Sequence, residues 1–137
     1  LARAFMVNAI VPDLLLNHFI PLFPAKSCPT FATLSARVGS ITDNRKGGWY
    51  GYRASKAALN MLLRTAAIEA CRQRPEAVFA ALQPGTVRSR LSAPFLAGAE
   101  GMDPEVSAAL LLAALDATPA SGEASGWARA QRAFSAR

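Results

Sequence analysis

Two residues of the stretch "GGWYGYRASKAALNML" could together perform proton chemistry. Tyr52 and Lys56 stand where a glycine-rich segment gives way to an alanine-rich one, and side chains four apart share one face of a helix. A free phenol has a pKa of about 10, and a nearby ammonium favours the phenolate and lowers that pKa. Such a tyrosine could exchange a proton with a carbonyl or alcohol oxygen. On spacing alone, a turn followed by an ordinary surface lysine stays the simpler interpretation.

The elements that must position this pair alternate between helices and strands. Both strands are continuous apolar runs, which is typical of a buried parallel sheet covered on both faces. The order predicts about half of a doubly wound α/β domain. Asp103, Pro104 and Glu105 form a typical helix start, with a cap, a first-turn proline and an acidic residue. The predicted elements are a helix over 5–22 with a kink or late start at Pro12, a strand over 30–35, a helix over 52–72, a strand over 77–85 and a helix from 105.

Composition limits the classes of function. The chain has 137 residues, of which 52% are hydrophobic, enough for one domain or a piece of one. No uninterrupted apolar run reaches the roughly 18–20 residues of a membrane helix, so no membrane partner is predicted. The net charge is +6, but the arginines are scattered, which favours a solvated basic surface over nucleic-acid binding. Cys28 and Cys71 share no motif spacing, which predicts free thiols, a reducing cytoplasmic compartment and no metal site.

Further segments accompany the pair in a set order. "VNAIVPDLLLNHFIPLF" precedes it, "LSARVGSITDNRKGG" leads into it, and "QPGTVRS" follows it. Together they resemble the short-chain dehydrogenase/reductase family over about residues 4–120, and most of all its C-factor-like and sniffer-like carbonyl reductases. The resemblance implies a Rossmann-type, doubly wound parallel sheet. It also implies interconversion of a small carbonyl compound and an alcohol with NAD or NADP, with NADP favoured by the subgroup.

The resemblance assigns a role to each matching residue. Tyr52 would be the general acid/base, and Lys56 would lower its pKa and hold the nicotinamide ribose. Asn8 would help to hold a water in a proton relay. The residues that would contact the cofactor are Tyr52, Lys56, Pro84, Gly85, Val87 and Ser89.

One expected residue is replaced. The family has a serine after the strand before the pair, to hold the substrate oxygen, and Ala36 stands at that position. Ser40 is the first substitute and Ser35 the second, since Ser35 would point to the opposite side of the strand end. Both serines could instead serve only in hydrogen bonds of the turn and strand end.

The Gly-rich phosphate loop of the family has no counterpart, because no G-x-G-x-x-G occurs in the sequence. We therefore expect residues 1–120 to be the C-terminal part of a Rossmann-type reductase domain, and 121–137 a divergent basic tail. Such an incomplete sheet would expose apolar surface and make the chain poorly soluble or dependent on a partner. Two hypotheses follow: a short-chain oxidoreductase that could form a homo-oligomer, or a truncated, non-catalytic remnant that acts through protein interaction.

Overall fold

A two-stranded parallel sheet lies at the centre of the chain. The computed structural model describes residues 1–96 and 101–118. Strand β1 (Thr30–Leu34) pairs with β2 (Val78–Leu82), with Thr30 opposite Val78 and Leu34 opposite Leu82. The predicted parallel sheet is therefore confirmed. The tail from residue 119 onwards, including 121–137, lies outside the described residues.

The first helical run is continuous from Ala2 to Leu22 but changes its winding near Pro12. Helix α1 (Ala2–Phe5) leads into a π-helical turn (Met6–Ile10), then α2 (Val11–Phe19) and a 3₁₀ turn (Ile20–Leu22). The Val11 N–H donates to the Met6 carbonyl, five residues back. Pro12 has no N–H to donate to the carbonyl four residues earlier, and its ring would clash with that carbonyl. The predicted kink is thus a widened turn just before the proline.

This run also bears on the prediction about membrane helices. Ala2–Leu22 has a mean hydropathy of 1.4 and is long and apolar enough to cross a membrane, by length and composition only. Pro12, Asp13 and Asn17 interrupt the apolar letters, but the average over the helix absorbs them. Only 11% of the most apolar part of this helix is buried. The finding is weak evidence for a membrane, because core helices of soluble proteins have the same length and composition.

Two longer helices cover the sheet. Helix α3 spans Tyr50–Ala70, and α4 spans Pro104–Asp116, capped by an Asp103 carboxylate that accepts a hydrogen bond from the Glu105 N–H. The predicted cap is confirmed. Helix α3 begins two residues before the predicted start, with Trp49 as its N-cap.

The faces of β2 alternate between two apolar clusters, as expected for a strand buried on both sides. Phe79 packs with Leu16 and Leu63 on one face. On the other face, Ala80 and Leu82 pack with leucines of α4, Leu111 and Leu115. Helices therefore lie on both sides of the sheet, in the layer order of a doubly wound fold.

Strand β1 is less buried than its sequence predicted. Its residues alternate between exposed and half-buried, and the Leu34 side chain is 54% exposed. The prediction of a buried strand holds for β2 but is wrong for β1. Both strands have one sheet neighbour among the described residues, so the difference lies in their faces: α4 leucines pack on Ala80 and Leu82 of β2, whereas Phe31 is the β1 residue that joins a described apolar cluster. An apolar sequence reports what a strand can bury, whereas the neighbouring elements decide what it does bury.

Candidate active site

A cleft of about 890 Å³ opens where both strands end. Carboxyl ends of parallel strands are the usual ligand site of open α/β sheets. The first residues after β2 and the first turn of α3 form two of its walls, and α4 forms a third. The lining residues are Leu34, Trp49, Tyr50, Gly51, Tyr52, Pro84, Gly85, Thr86, Val87, Ser89, Leu91, Ser92, Phe95, Pro104, Ser107, Ala108 and Leu111.

Tyr52 and Lys56 lie one turn apart on α3, as the spacing predicted. Tyr52 lines the cleft and is 39% exposed. Lys56 is buried, with 7% of its surface exposed, and its Nζ donates a 2.7 Å hydrogen bond to the Leu34 carbonyl oxygen. The same Nζ lies 5.9 Å from the centroid of the Tyr52 ring. The pair therefore shares one helix face, with the ammonium anchored on the end of β1.

The pKa values of the pair move in a direction that the spacing did not predict. Burial raises the pKa of the Tyr52 phenol and lowers the pKa of the Lys56 ammonium. Removal from water disfavours the charged form of each group. The Lys56 ammonium is bonded to a backbone carbonyl, and burial moves the Tyr52 pKa upwards, opposite to the predicted lowering. In this arrangement the phenol is a proton donor at neutral pH.

Asn8 reaches α3 through a residue that the sequence analysis did not single out. Its Nδ2 donates to Ser55 Oγ at 3.2 Å, and Ser55 Oγ donates to the Tyr52 carbonyl at 2.9 Å. Ser55 is completely buried. These bonds tie the π-helical turn to the first turn of α3, but Asn8 does not line the cleft. A small polar residue among alanines, three residues after the tyrosine, was the available signal.

The structure places neither substitute serine in the cleft. Ser35 is buried, and its Oγ donates to Asn60 Oδ1 at 2.6 Å, so it faces α3. Ser40 Oγ lies 3.3 Å from Thr42 Oγ1 and accepts from the Asp43 N–H. Both hydroxyls therefore serve the hydrogen bonds of their own loop and helix contacts. The ranking of Ser40 as a replacement for the serine expected at Ala36 gains no geometric support.

The segment after β2 contributes four of the six residues assigned to the cofactor by resemblance; Tyr52 lines the cleft from α3, and Lys56 does not line it. Pro84, Gly85, Val87 and Ser89 all line the cleft, as Tyr52 does. Gly85 has a φ of 73°, in the left-handed region that glycine adopts without strain. A buried Ser107 on α4 donates to the Pro84 carbonyl at 3.3 Å and fixes this turn. Sequence reasoning did not include Ser107, because a serine inside an apolar helix carries no specific motif.

Comparison with known proteins identifies proteins that are similar to this chain. No family model matches the chain. It is 36% identical over 95 residues to the C-signal protein of Myxococcus xanthus, an alignment that covers 69% of this chain and 55% of that protein.

Two solved structures share the fold. A Burkholderia multivorans structure with bound NADP, assigned to the short-chain dehydrogenases/reductases, has a TM-score of 0.71 and 26% identity, covering 85% of this chain and 47% of that one. The NADPH-bound carbonyl reductase from chicken fatty liver has a TM-score of 0.67 and 27% identity, covering 86% and 50%. The chain therefore spans about half the length of the relatives it matches.

Proposed function

The chain belongs to the short-chain dehydrogenase/reductase family, whose C-terminal part it matches, and from that premise we propose a carbonyl–alcohol oxidoreductase site that uses NADPH or NADH. One observation carries the proposal: Tyr52 and the Pro84–Gly85 turn line the same cleft at the carboxyl ends of the strands. A proton donor and a backbone turn suited to a nicotinamide thus border the same space. NADP is favoured over NAD because both structural relatives described above carry it.

The residues present fit the nicotinamide end of such a cofactor. At Gly85 a Cβ would meet nothing within 4 Å, so the turn leaves open space for a ligand beside the backbone. Val87 and Ser89 continue that wall. The sequence carries no Gly-rich loop for a pyrophosphate. The fit therefore covers the nicotinamide end alone, and the chain's own affinity for the cofactor should be weak.

When bound, the cofactor supplies the hydride. The chain's residues handle the proton and the positions of the groups. Tyr52, neutral at physiological pH, donates its phenolic proton to the carbonyl oxygen as negative charge develops there. Lys56 holds α3 on the end of β1, with its Nζ 5.9 Å from the centroid of the Tyr52 ring. Asn8 steadies the first turn of α3 through Ser55, so that the phenol keeps its place.

Titration of the chain with NADPH and NADH, followed by cofactor fluorescence, tests the proposal first. Saturable binding with NADPH preferred, and NADPH-dependent reduction of a small aldehyde or ketone, are the expected results. Tyr52→Phe should lower turnover by at least about 100-fold with little effect on NADPH binding. Tyr50→Phe, two residues earlier and 87% exposed, is the matched phenol variant and should retain measurable turnover. No binding at millimolar cofactor would exclude an enzyme made of this chain alone.

A second candidate function is interaction through the helical run Ala2–Leu22. Its apolar side chains are open: Val7 and Leu14 are each 61% exposed. A contiguous apolar surface of this kind marks an interaction site, here with a second copy or another chain. In sedimentation velocity, Leu14→Glu should shift an oligomer towards monomer, whereas Met61→Glu, on exposed α3 surface, should not. A monomeric, cofactor-binding wild-type chain would contradict this candidate.

The cytoplasm remains our proposed location. Cys28 and Cys71 are free thiols. Free thiols are maintained in reducing compartments. Alkylation of both cysteines in protein released from native cells without reductant would support this location, and a disulfide between them would oppose it.

A further inference from the structure

We propose that Trp49 and Phe95 form an aromatic clamp that selects neutral carbonyl compounds bearing a ring, an inference that rests on the proposed function and defines its substrate class. Both side chains line the cleft, one from the residue before α3 and one from the segment after β2. Their ring centroids are 5.9 Å apart at an interplanar angle of 70°, an edge-to-face contact. Aromatic rings pair in this geometry, so a substrate ring could join or replace it.

Trp49 is held in an uncommon conformation that aims it at the cleft. Its φ is 50°, in the left-handed region, and no other non-glycine residue among those described has a positive φ. That conformation is unfavourable for a residue with a Cβ. Gly47 and Gly48, which precede Trp49, have φ of 63° and 70°, so three successive residues of this turn lie in the left-handed region. Such strain persists only where the surroundings enforce it, and it is common at ligand sites.

The Arg53 side chain holds this turn in place through hydrogen bonds. Its Nε donates to the carbonyls of Gly47 (3.2 Å) and Gly48 (3.0 Å), and its Nη1 donates to the Val38 carbonyl at 3.4 Å. One guanidinium therefore joins the diglycine turn to the segment after β1. Arg53 acts as a positioning residue for Trp49, since it touches the turn and does not line the cleft.

The lining defines what the clamp would accept. None of the lining residues of the described cleft carries a formal charge, and the polar ones are hydroxyl residues. Arg88, next to the lining residues Val87 and Ser89, is paired with Asp103. A charged substrate would lose its hydration here without gaining a partner. A neutral ring would instead bury apolar surface against Leu91 and Leu111 as well as the clamp.

Binding of alcohols to the whole chain tests the clamp without requiring hydride transfer. Trp127→Phe leaves Trp49 as the sole tryptophan, so its emission reports on the cleft. We expect a saturable change with 1-phenylethanol at concentrations about tenfold lower than with mandelate, which adds a carboxylate, or with propan-2-ol, which lacks the ring. Phe95→Ala should weaken 1-phenylethanol binding about fivefold. Phe19→Ala, an exposed phenyl outside the cleft, is the matched control and should change nothing.

Arg53→Ala provides the second variant, and it should weaken 1-phenylethanol binding while NADPH binding is kept. Equal affinity for mandelate, no saturable change with 1-phenylethanol, or equal effects of Phe95→Ala and Phe19→Ala would overturn the clamp. The proposed function fails separately: a chain that binds 1-phenylethanol as expected but neither binds nor oxidises NADPH keeps the clamp and loses the reductase. Conversely, NADPH-dependent turnover with no preference for ring-bearing substrates keeps the reductase and overturns the clamp.

Discussion

The Lys56 Nζ donates a 2.7 Å hydrogen bond to the carbonyl oxygen of Leu34, and this contact joins α3 to the carboxyl end of β1. Leu34 itself lines the cleft. Lys56 is thus both a buried charge beside the Tyr52 ring and a structural tie between helix and sheet. Close packing reinforces the tie, because a Cβ at Gly39 would lie 2.8 Å from the Lys56 carbonyl carbon.

Replacement of Lys56 should therefore lower stability as well as turnover. Lys56→Met removes the donor to Leu34 and should reduce the free energy of unfolding by about 1 kcal/mol, measured by urea denaturation. Lys46→Met, at an exposed lysine, is the control and should change it by less than about 0.5 kcal/mol. Equal stability of the two variants would show that the Leu34 contact contributes nothing.

Tyr52 should ionise above its usual value of about 10, because burial raises its pKa. The difference in phenolate absorbance between wild type and Tyr52→Phe isolates this group during a pH titration. The folded chain holds this proton more tightly than the unfolded chain. The Tyr52 contribution to the free energy of unfolding is therefore complete below about pH 10 and is lost as pH rises through the raised pKa. A midpoint below 10 would instead mean that the Lys56 ammonium dominates.

Asn8 and Ser55 should be energetically coupled. A double-mutant cycle with Asn8→Ala and Ser55→Ala should give a coupling of about 0.5–1.5 kcal/mol in the free energy of unfolding, since each variant breaks the same 3.2 Å hydrogen bond. The cycle of Asn8→Ala with Ser40→Ala should give additive effects. Additivity in both cycles would contradict the hydrogen bond between the π-helical turn and α3.

The two serines near Ala36 should differ in what they stabilise. Ser35→Ala leaves Asn60 Oδ1 without the donor it has now, and should cost about 1–2 kcal/mol of unfolding free energy. Ser40→Ala removes only loop contacts and should cost less than about 0.5 kcal/mol. Thermal and urea unfolding of the two variants measure both losses of unfolding free energy. A larger loss for Ser40→Ala would assign Ser40 a structural role that its contacts do not indicate.

The sequence by itself determined the elements, and its motifs marked five of the residues that line the cleft: Tyr52, Pro84, Gly85, Val87 and Ser89. Apolar patterns, prolines and capping residues predicted both strands, the long helix and the Asp103 cap. These signals act between residues that are close in the chain. The four-residue spacing placed Tyr52 and Lys56 on one helix face, and the Pro84–Gly85 turn marked another part of the cleft lining. Family resemblance supplied the assignment of these segments to one site, which local patterns could not do.

Only the tertiary structure decided which groups the side chains contact. The Lys56 ammonium could have met the phenol or a carbonyl, and the choice depends on how β1 packs against α3, a contact between residues distant in the chain. The direction of the Tyr52 pKa follows from burial, which no spacing encodes. Ser35 and Ser40 differ because their loop folds onto α3 at Gly39. The partnership of Trp49 with Phe95 has the same cause: it joins two segments that meet only when the strands lie side by side.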